Sequence, residues 1–237
     1  MSLIPVADLV RRLRERRAKR VALQLPAGLK RQAFPLAKAL RSAGFEVIVS
    51  GDPCYGACDL ALGAASLADV LVHVGHTPVE GREGVLYEIV GGDFDLGVLE
   101  AALPLLTSIR IGLVTTAQHA HLIDPMIETL ARHGIDARVA PGGTRAPMRG
   151  QVLGCSFLAA RIPDIDEILY VGTGLFHPTG VQLAIGARVV ALDPYTRAAV
   201  LVDASRMLRR RFALMEKARE AESYGVIVST KTGQQRF

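Results

Sequence analysis

Three cysteines, Cys54, Cys58 and Cys155, are the residues of this 237-residue chain best equipped for chemistry. Cys58 closes the loop Gly51-Asp-Pro-Cys-Tyr-Gly-Ala-Cys58, and Cys155 closes Gly150-Gln-Val-Leu-Gly-Cys155. An odd count disfavours a disulfide framework and leaves metal binding, catalysis or plain burial. Cys58 and Cys155 are 155 − 58 = 97 residues apart, so no local metal motif joins them and only the fold could. If equivalent loops of repeated units faced one centre, three thiolates could hold a four-iron cluster and leave one iron open. Inert small residues are the other reading of isolated cysteines in such loops. Cys54 and Cys58 form C-x₃-C, but the next cysteine of the usual radical-enzyme motif is replaced by Ala61. Cys54 is therefore expected to be a spectator, with a substitute ligand as the alternative.

Two histidines, His73 and His76, flank Gly75 at a strand end. Zinc held with Cys58 is conceivable, yet no compact ligand set at zinc-like spacing supports it. A structural, hydrogen-bonding role is expected for His76 and for His177, which occupies the equivalent place later in the chain. Pro26-Ala-Gly28 and Gly172-Thr-Gly174 are turns after strands that could bring backbone N–H groups close to a nucleoside or carboxylate. Neither is a dinucleotide fingerprint.

The elements that must carry these residues repeat. Val21–Leu25 reads as a strand, Gln32–Ser42 as a helix, Phe45–Ser50 as a second strand leading to the cysteine loop, and Val70–Val74 as a third. Ile111–Thr115, Leu122–His133, Ala137–Ala140 and Glu167–Val171 repeat that order, with Cys155 falling where Cys58 fell. Buried-type strands alternating with helices predict an α/β fold: repeated three-layer α/β units with parallel, pseudo-symmetric sheets. A helix over Arg197–Ala221 is expected to lead to a further strand, Gly225–Thr230, and then to Lys231-Thr-Gly-Gln234. The domains expected are 1–108 with cysteine loop 51–58, 109–222 with cysteine loop 150–155 and the connecting helix, and 223–237 as the start of a truncated third unit.

Half of the residues are apolar and 22% are charged, which fits a folded globular protein. No apolar run reaches the roughly 18 residues of a spanning helix, and no secretion signal opens the chain, so the cytoplasm is expected. The net charge of +5 gathers in Arg11–Arg20 and Arg206–Arg211 without interleaved aromatics. Solvated helix faces are the expected reading, with an acidic or RNA-containing partner as the alternative, and direct nucleic-acid binding is not expected.

The stretches GDPCYGACDL (51–60), LVHVGHTP (71–78), GQVLGC (150–155), GTGLFHPTG (172–180), ALDP (191–194) and ALMEKA…YGVIVSTKTGQ (213–234) together resemble the diphthamide-synthesis family. These are the archaeal-type 3-amino-3-carboxypropyl-histidine synthases, and the likeness runs in order over nearly the whole chain. It implies three α/β domains, a homodimer and a [4Fe–4S] cluster held by one cysteine per domain. It also implies noncanonical radical cleavage of S-adenosylmethionine and transfer of its 3-amino-3-carboxypropyl group to a histidine of translation elongation factor 2. Cys58 matches the first-domain ligand and Cys155 the second-domain ligand. The third has no counterpart and is expected some tens of residues past Phe237. Residues expected to contact S-adenosylmethionine are Pro26, Gly28, Gly172, Gly174, Lys231 and Gln234. A cluster-incompetent scaffold or partner subunit of the same pathway is the alternative function, and a generic nucleotide-binding protein would leave the paired cysteine loops unexplained.

Overall fold

In the computed structural model, residues 4–230 are described. They fall into two compact units, one formed mainly by the chain up to Gly91 and the other by Gly92–Val228.

The first unit begins with helix α1 (Val6–Glu15), whose apolar positions recur at helical spacing and bury Leu9 and Leu13 completely. Each such leucine contributes about 1.5–3 kcal/mol on leaving water. Strand β1 (Arg20–Gln24), helix α2 (Ala33–Ser42), strand β2 (Glu46–Val49), the single turn α3 (Leu62–Ala65), strand β3 (Val70–Val74) and strand β4 (Val85–Glu88) follow. The sheet order is β2-β1-β3-β4, and all three pairings are parallel. One core joins α1 and α2 to the sheet through Leu9, Leu13, Leu36, Leu40, Leu23 and Val72. Ala22, Ala61 and Leu71 form a smaller cluster.

The second unit opens with a 3₁₀-type segment, Leu96–Leu105, capped where the Asp95 carboxylate accepts the Gly97 N–H at 3.0 Å. Strand β5 (Arg110–Thr115), helix α4 (Ile123–Arg132), strand β6 (Asp136–Arg138), strand β7 (Glu167–Val171), helix α5 (Phe176–Ile185), strand β8 (Arg188–Asp193), strand β9 (Ala198–Leu201) and helix α6 (Ser205–Arg219) complete it. Its sheet order is β6-β5-β7-β8-β9. The first three pairings are parallel and the β8–β9 pair is antiparallel. In both units the first strand in the chain lies between the second and the third, which is the repeat the sequence predicts.

Three expectations are corrected. The boundary between units falls at Gly91–Gly92 rather than after residue 108, because Val98, Leu99 and Ala102 pack into the second unit's core with Leu113 and Leu192. The helix expected over Arg197–Ala221 starts only at Ser205; before it, Ala198–Leu201 form β9, which turns back along β8 and breaks the all-parallel pattern. Among the described residues Gly225–Thr230 makes no sheet ladder, and Val226 and Ile227 are highly exposed. A strand exists only with a neighbour to pair with, so composition alone misleads there. Among the described residues no helix is long and apolar enough to cross a membrane.

Candidate functional site

Parallel strands leave their carboxyl ends and following loops at one edge of the sheet, where open α/β sheets bind ligands. In the first unit β1 ends in Gln24, which is paired in register with His73 of β3. Both side chains are fully buried. Gln24 Oε1 accepts the Ala61 N–H at 3.0 Å and faces His73 Nδ1 at 2.9 Å, while its amide nitrogen donates to the Asp59 carbonyl. One glutamine thus ties the chain just after Cys58 to the end of the central strand. The Asp59 carboxylate turns back to accept the Tyr55 N–H at 2.8 Å, tightening the cysteine loop.

The histidines lie beneath that loop. His73 Nε2 is 3.0 Å from His76 Nδ1, and His76 Nδ1 is 4.0 Å from Cys54 Sγ. Cys54 is 5% exposed and Cys58 is half-buried. Burial pushes the Cys54 thiol up to about 11, with the Asp59 carboxylate adding to the effect. Burial, with His76 second, brings His73 down to about 4, and burial also lowers His76. The fold therefore brings Cys54, not Cys58, to the histidine pair, contrary to the zinc partner considered from sequence. Pro26 follows β1 and is packed by the loop after β3: a Cβ at Gly75, where φ is +92°, would lie 3.2 Å from Pro26 Cγ. A Cβ at Gly28 would meet nothing within 4 Å among the described residues.

In the second unit the cysteine loop is secured differently. Thr115 N–H donates to the Gly150 carbonyl at 2.9 Å, and the Thr115 carbonyl accepts the Val152 N–H at 2.8 Å. Leu153 and Ser156 then exchange two backbone hydrogen bonds, presenting Cys155 on an exposed turn. Behind it, Gly172 and Gly174 lead into α5. The Gly172 N–H is already used by the Leu192 carbonyl at 2.9 Å, and Gly174 has φ +70° with open space around it. Tyr170 is fully buried; its ring stacks on His177 (6.3 Å, 14°), and its hydroxyl lacks a partner among the described residues. His119 is also buried. Its Nδ1 lies 2.8 Å from the Gly92 carbonyl, and Nε2, between the rings of Phe94 and Tyr195, has no partner among the described residues.

Cys58 and Cys155 lie in different units but at the same place in each, after the second strand and at the carboxyl edge of the sheet. Two clefts, of about 520 and 530 Å³, are lined by residues such as Pro163 and Asp166 or Thr107 and Arg188, near the amino ends of strands. They are not where the cysteines are. Lys231 and Gln234 lie outside the described residues.

The family model described as "Putative diphthamide synthesis protein" matches residues 25–237. The chain belongs to that family. It is 38% identical to 2-(3-amino-3-carboxypropyl)histidine synthase of Pyrococcus horikoshii, over 99% of this chain and 70% of that protein. It is 31% identical to subunit 1 of the human enzyme of the same name, over 92% of this chain and 52% of that subunit. The chain thus spans about half the length of such eukaryotic relatives. Crystal structures of Dph2 from Pyrococcus horikoshii superpose with a TM-score of 0.92 at 35% identity, over 98% of this chain and 70% of that one. One such structure carries a 4Fe–4S cluster. The family and the parallel α/β fold expected from sequence both hold.

Sequence reading missed Gln24, Tyr170 and His119. A signal existed for Gln24, the one polar residue in the run Val21-Ala-Leu-Gln-Leu25. Tyr170 and His119 gave none, because their isolation is created by burial.

Proposed function

We propose that this chain carries the first step of diphthamide synthesis, transferring a 3-amino-3-carboxypropyl group from S-adenosylmethionine to a histidine of translation elongation factor 2. The observation that carries the reading is the placement of Cys58 and Cys155 in equivalent loops of two repeated units. Both thiols are accessible, and thiolates on adaptable loops are the donor set an iron–sulfur cluster takes. Cys58 and Cys155 would each supply one ligand to a [4Fe–4S] cluster. When bound, that cluster supplies the electron for breaking a carbon–sulfur bond of the substrate.

The chain's own task is to position and shield. Gln24 and the Thr115–Gly150–Val152 ladder fix the two cysteine loops to strand ends. The open turn at Gly174, before α5, and the Pro26–Gly28 turn would receive the methionine part of S-adenosylmethionine, together with Lys231 and Gln234. The Gly172 N–H already serves the sheet, so Gly172 would contribute through shape. A homodimer acting in the cytoplasm completes the proposal.

The test is anaerobic reconstitution with iron and sulfide, followed by iron analysis and low-temperature EPR of the reduced protein. Cys58→Ala and Cys155→Ala should each lose the four-iron signal, and Cys54→Ala should keep it. Iron content unaffected by Cys155→Ala would sink the ligand assignment. Transfer is read separately, by mass spectrometry of elongation factor 2.

A further inference from the structure

We propose that Cys54, His73 and His76 form a mononuclear site for a zinc-type divalent ion, separate from the cysteines assigned to the cluster. The three ligand atoms lie within 4.8 Å of one another, with the 3.0 Å and 4.0 Å contacts given above as two of the edges. Around tetrahedral zinc, with bonds of about 2.0–2.1 Å to nitrogen and about 2.3 Å to sulfur, the edges are about 3.3 Å between nitrogens and about 3.6 Å between nitrogen and sulfur. Two edges then need only a few tenths of an ångström, and the third at most about 1.2 Å, within reach of side-chain torsions.

The hydrogen bonds around His73 dictate its tautomer. Ala61 N–H can only donate, so the Gln24 atom it meets is the carbonyl oxygen. The same oxygen faces His73 Nδ1, which must therefore carry the proton. That leaves a bare lone pair on Nε2, directed towards His76 and Cys54. An imidazole fixed by a second-shell acceptor in this way is the usual arrangement of a metal-ligating histidine. Without metal, His76 Nδ1–H fills the Nε2 lone pair. On binding, that proton moves to His76 Nε2 and the Cys54 thiol proton is released, so one proton leaves for each ion bound. The donor set of two imidazoles and a thiolate favours zinc or cobalt over magnesium or calcium. Buried Asp59 acts electrostatically on all three ligands and offsets the added charge. His76 is partly rather than fully buried, and water would complete the coordination.

The inference does not rest on the cluster assignment, and cobalt(II) titration of the cluster-free protein under anaerobic conditions tests it alone. Binding of one equivalent is expected, with a near-ultraviolet thiolate-to-cobalt band and the intense visible bands of four-coordinate cobalt. Cys54→Ala should abolish the thiolate band and His76→Gln the four-coordinate spectrum. Gln24→Leu should weaken binding about 10- to 100-fold. Cys58→Ala and Cys155→Ala should leave the spectrum intact, with circular dichroism confirming that each variant is folded. Absence of a thiolate band in the native chain overturns the proposal, as does a band that survives Cys54→Ala or disappears with Cys58→Ala.

Discussion

Replacing Tyr170 by Phe should make the protein more stable. Tyr170 is fully buried in the middle of the second unit, and its hydroxyl has no hydrogen-bond partner among the described residues. Burial raises the hydroxyl's pKa, with Asp193 adding to it, so the group remains neutral and a donor in search of an acceptor. A hydroxyl moved from water into such surroundings costs about 1–3 kcal/mol. Phenylalanine keeps the ring, its stacking on His177 and nearly all of its packing, and discards that cost. The expected gain is about 1–2 kcal/mol, or a few degrees in Tm at about 3 °C per kcal/mol for a unit of this size. Urea unfolding at neutral pH, followed by circular dichroism, measures it. Tyr170→Ala separates ring from hydroxyl and should cost about 3–5 kcal/mol through the cavity it leaves. If Tyr170→Phe instead loses 1 kcal/mol or more, the hydroxyl is bonded in solution, to ordered water or a ligand, and the reasoning fails.

Glu167 is buried at 3% side-chain exposure, pairs with Arg188 and accepts the Thr107 and Ser108 N–H groups at 2.9 and 2.7 Å. Glu167→Ala leaves those donors stranded and should cost about 3 kcal/mol by urea unfolding, the low end of the range for broken buried pairs because Arg188 keeps some solvent. His119 is held by burial below its ordinary pKa of 6.5. The unfolded chain then binds a proton that the folded chain refuses, so stability is complete above about pH 6.5 and falls as the pH drops towards the folded-state value. His119→Gln should flatten that decline in unfolding midpoints measured across the range. A Cβ at Gly142 would sit 2.2 Å from the Ala146 carbonyl oxygen and 2.5 Å from that of Met148. Gly142→Ala should therefore cost about 2–3 kcal/mol, visible as a lowered Tm, since it is backbone that must move.

The β3 and β7 strands were legible to the residue because each is a short apolar run bounded by turn formers. The cysteine loops were legible as a repeat, and the family through motifs kept in order. What sequence could not supply was proximity. Cys54 read as a bystander because its histidines lie some twenty residues away and meet it only through β1, which pairs with β2 ahead of the cysteine loop and also with β3. Strand β9 was hidden because the helix pattern of Ser205–Arg219 can be read backwards into it, and only the edge of β8 gives Ala198–Leu201 a reason to be extended.

The two cysteine loops are fastened by unlike means, and this bears on how each can vary and open. The second loop is held by main-chain atoms of Thr115, Gly150 and Val152, a fastening that no side chain has to supply. The first depends on the carboxamide of Gln24, so a single-codon change can release it. Position 24 should be intolerant because its side chain is the fastening, whereas loss of the buried Thr115 hydroxyl, which donates to the Val171 carbonyl at 2.6 Å, should cost stability without releasing the loop. In amide hydrogen exchange, the Val152 N–H should resist like the sheet it joins, whereas the Ala61 N–H should follow whatever frees one glutamine.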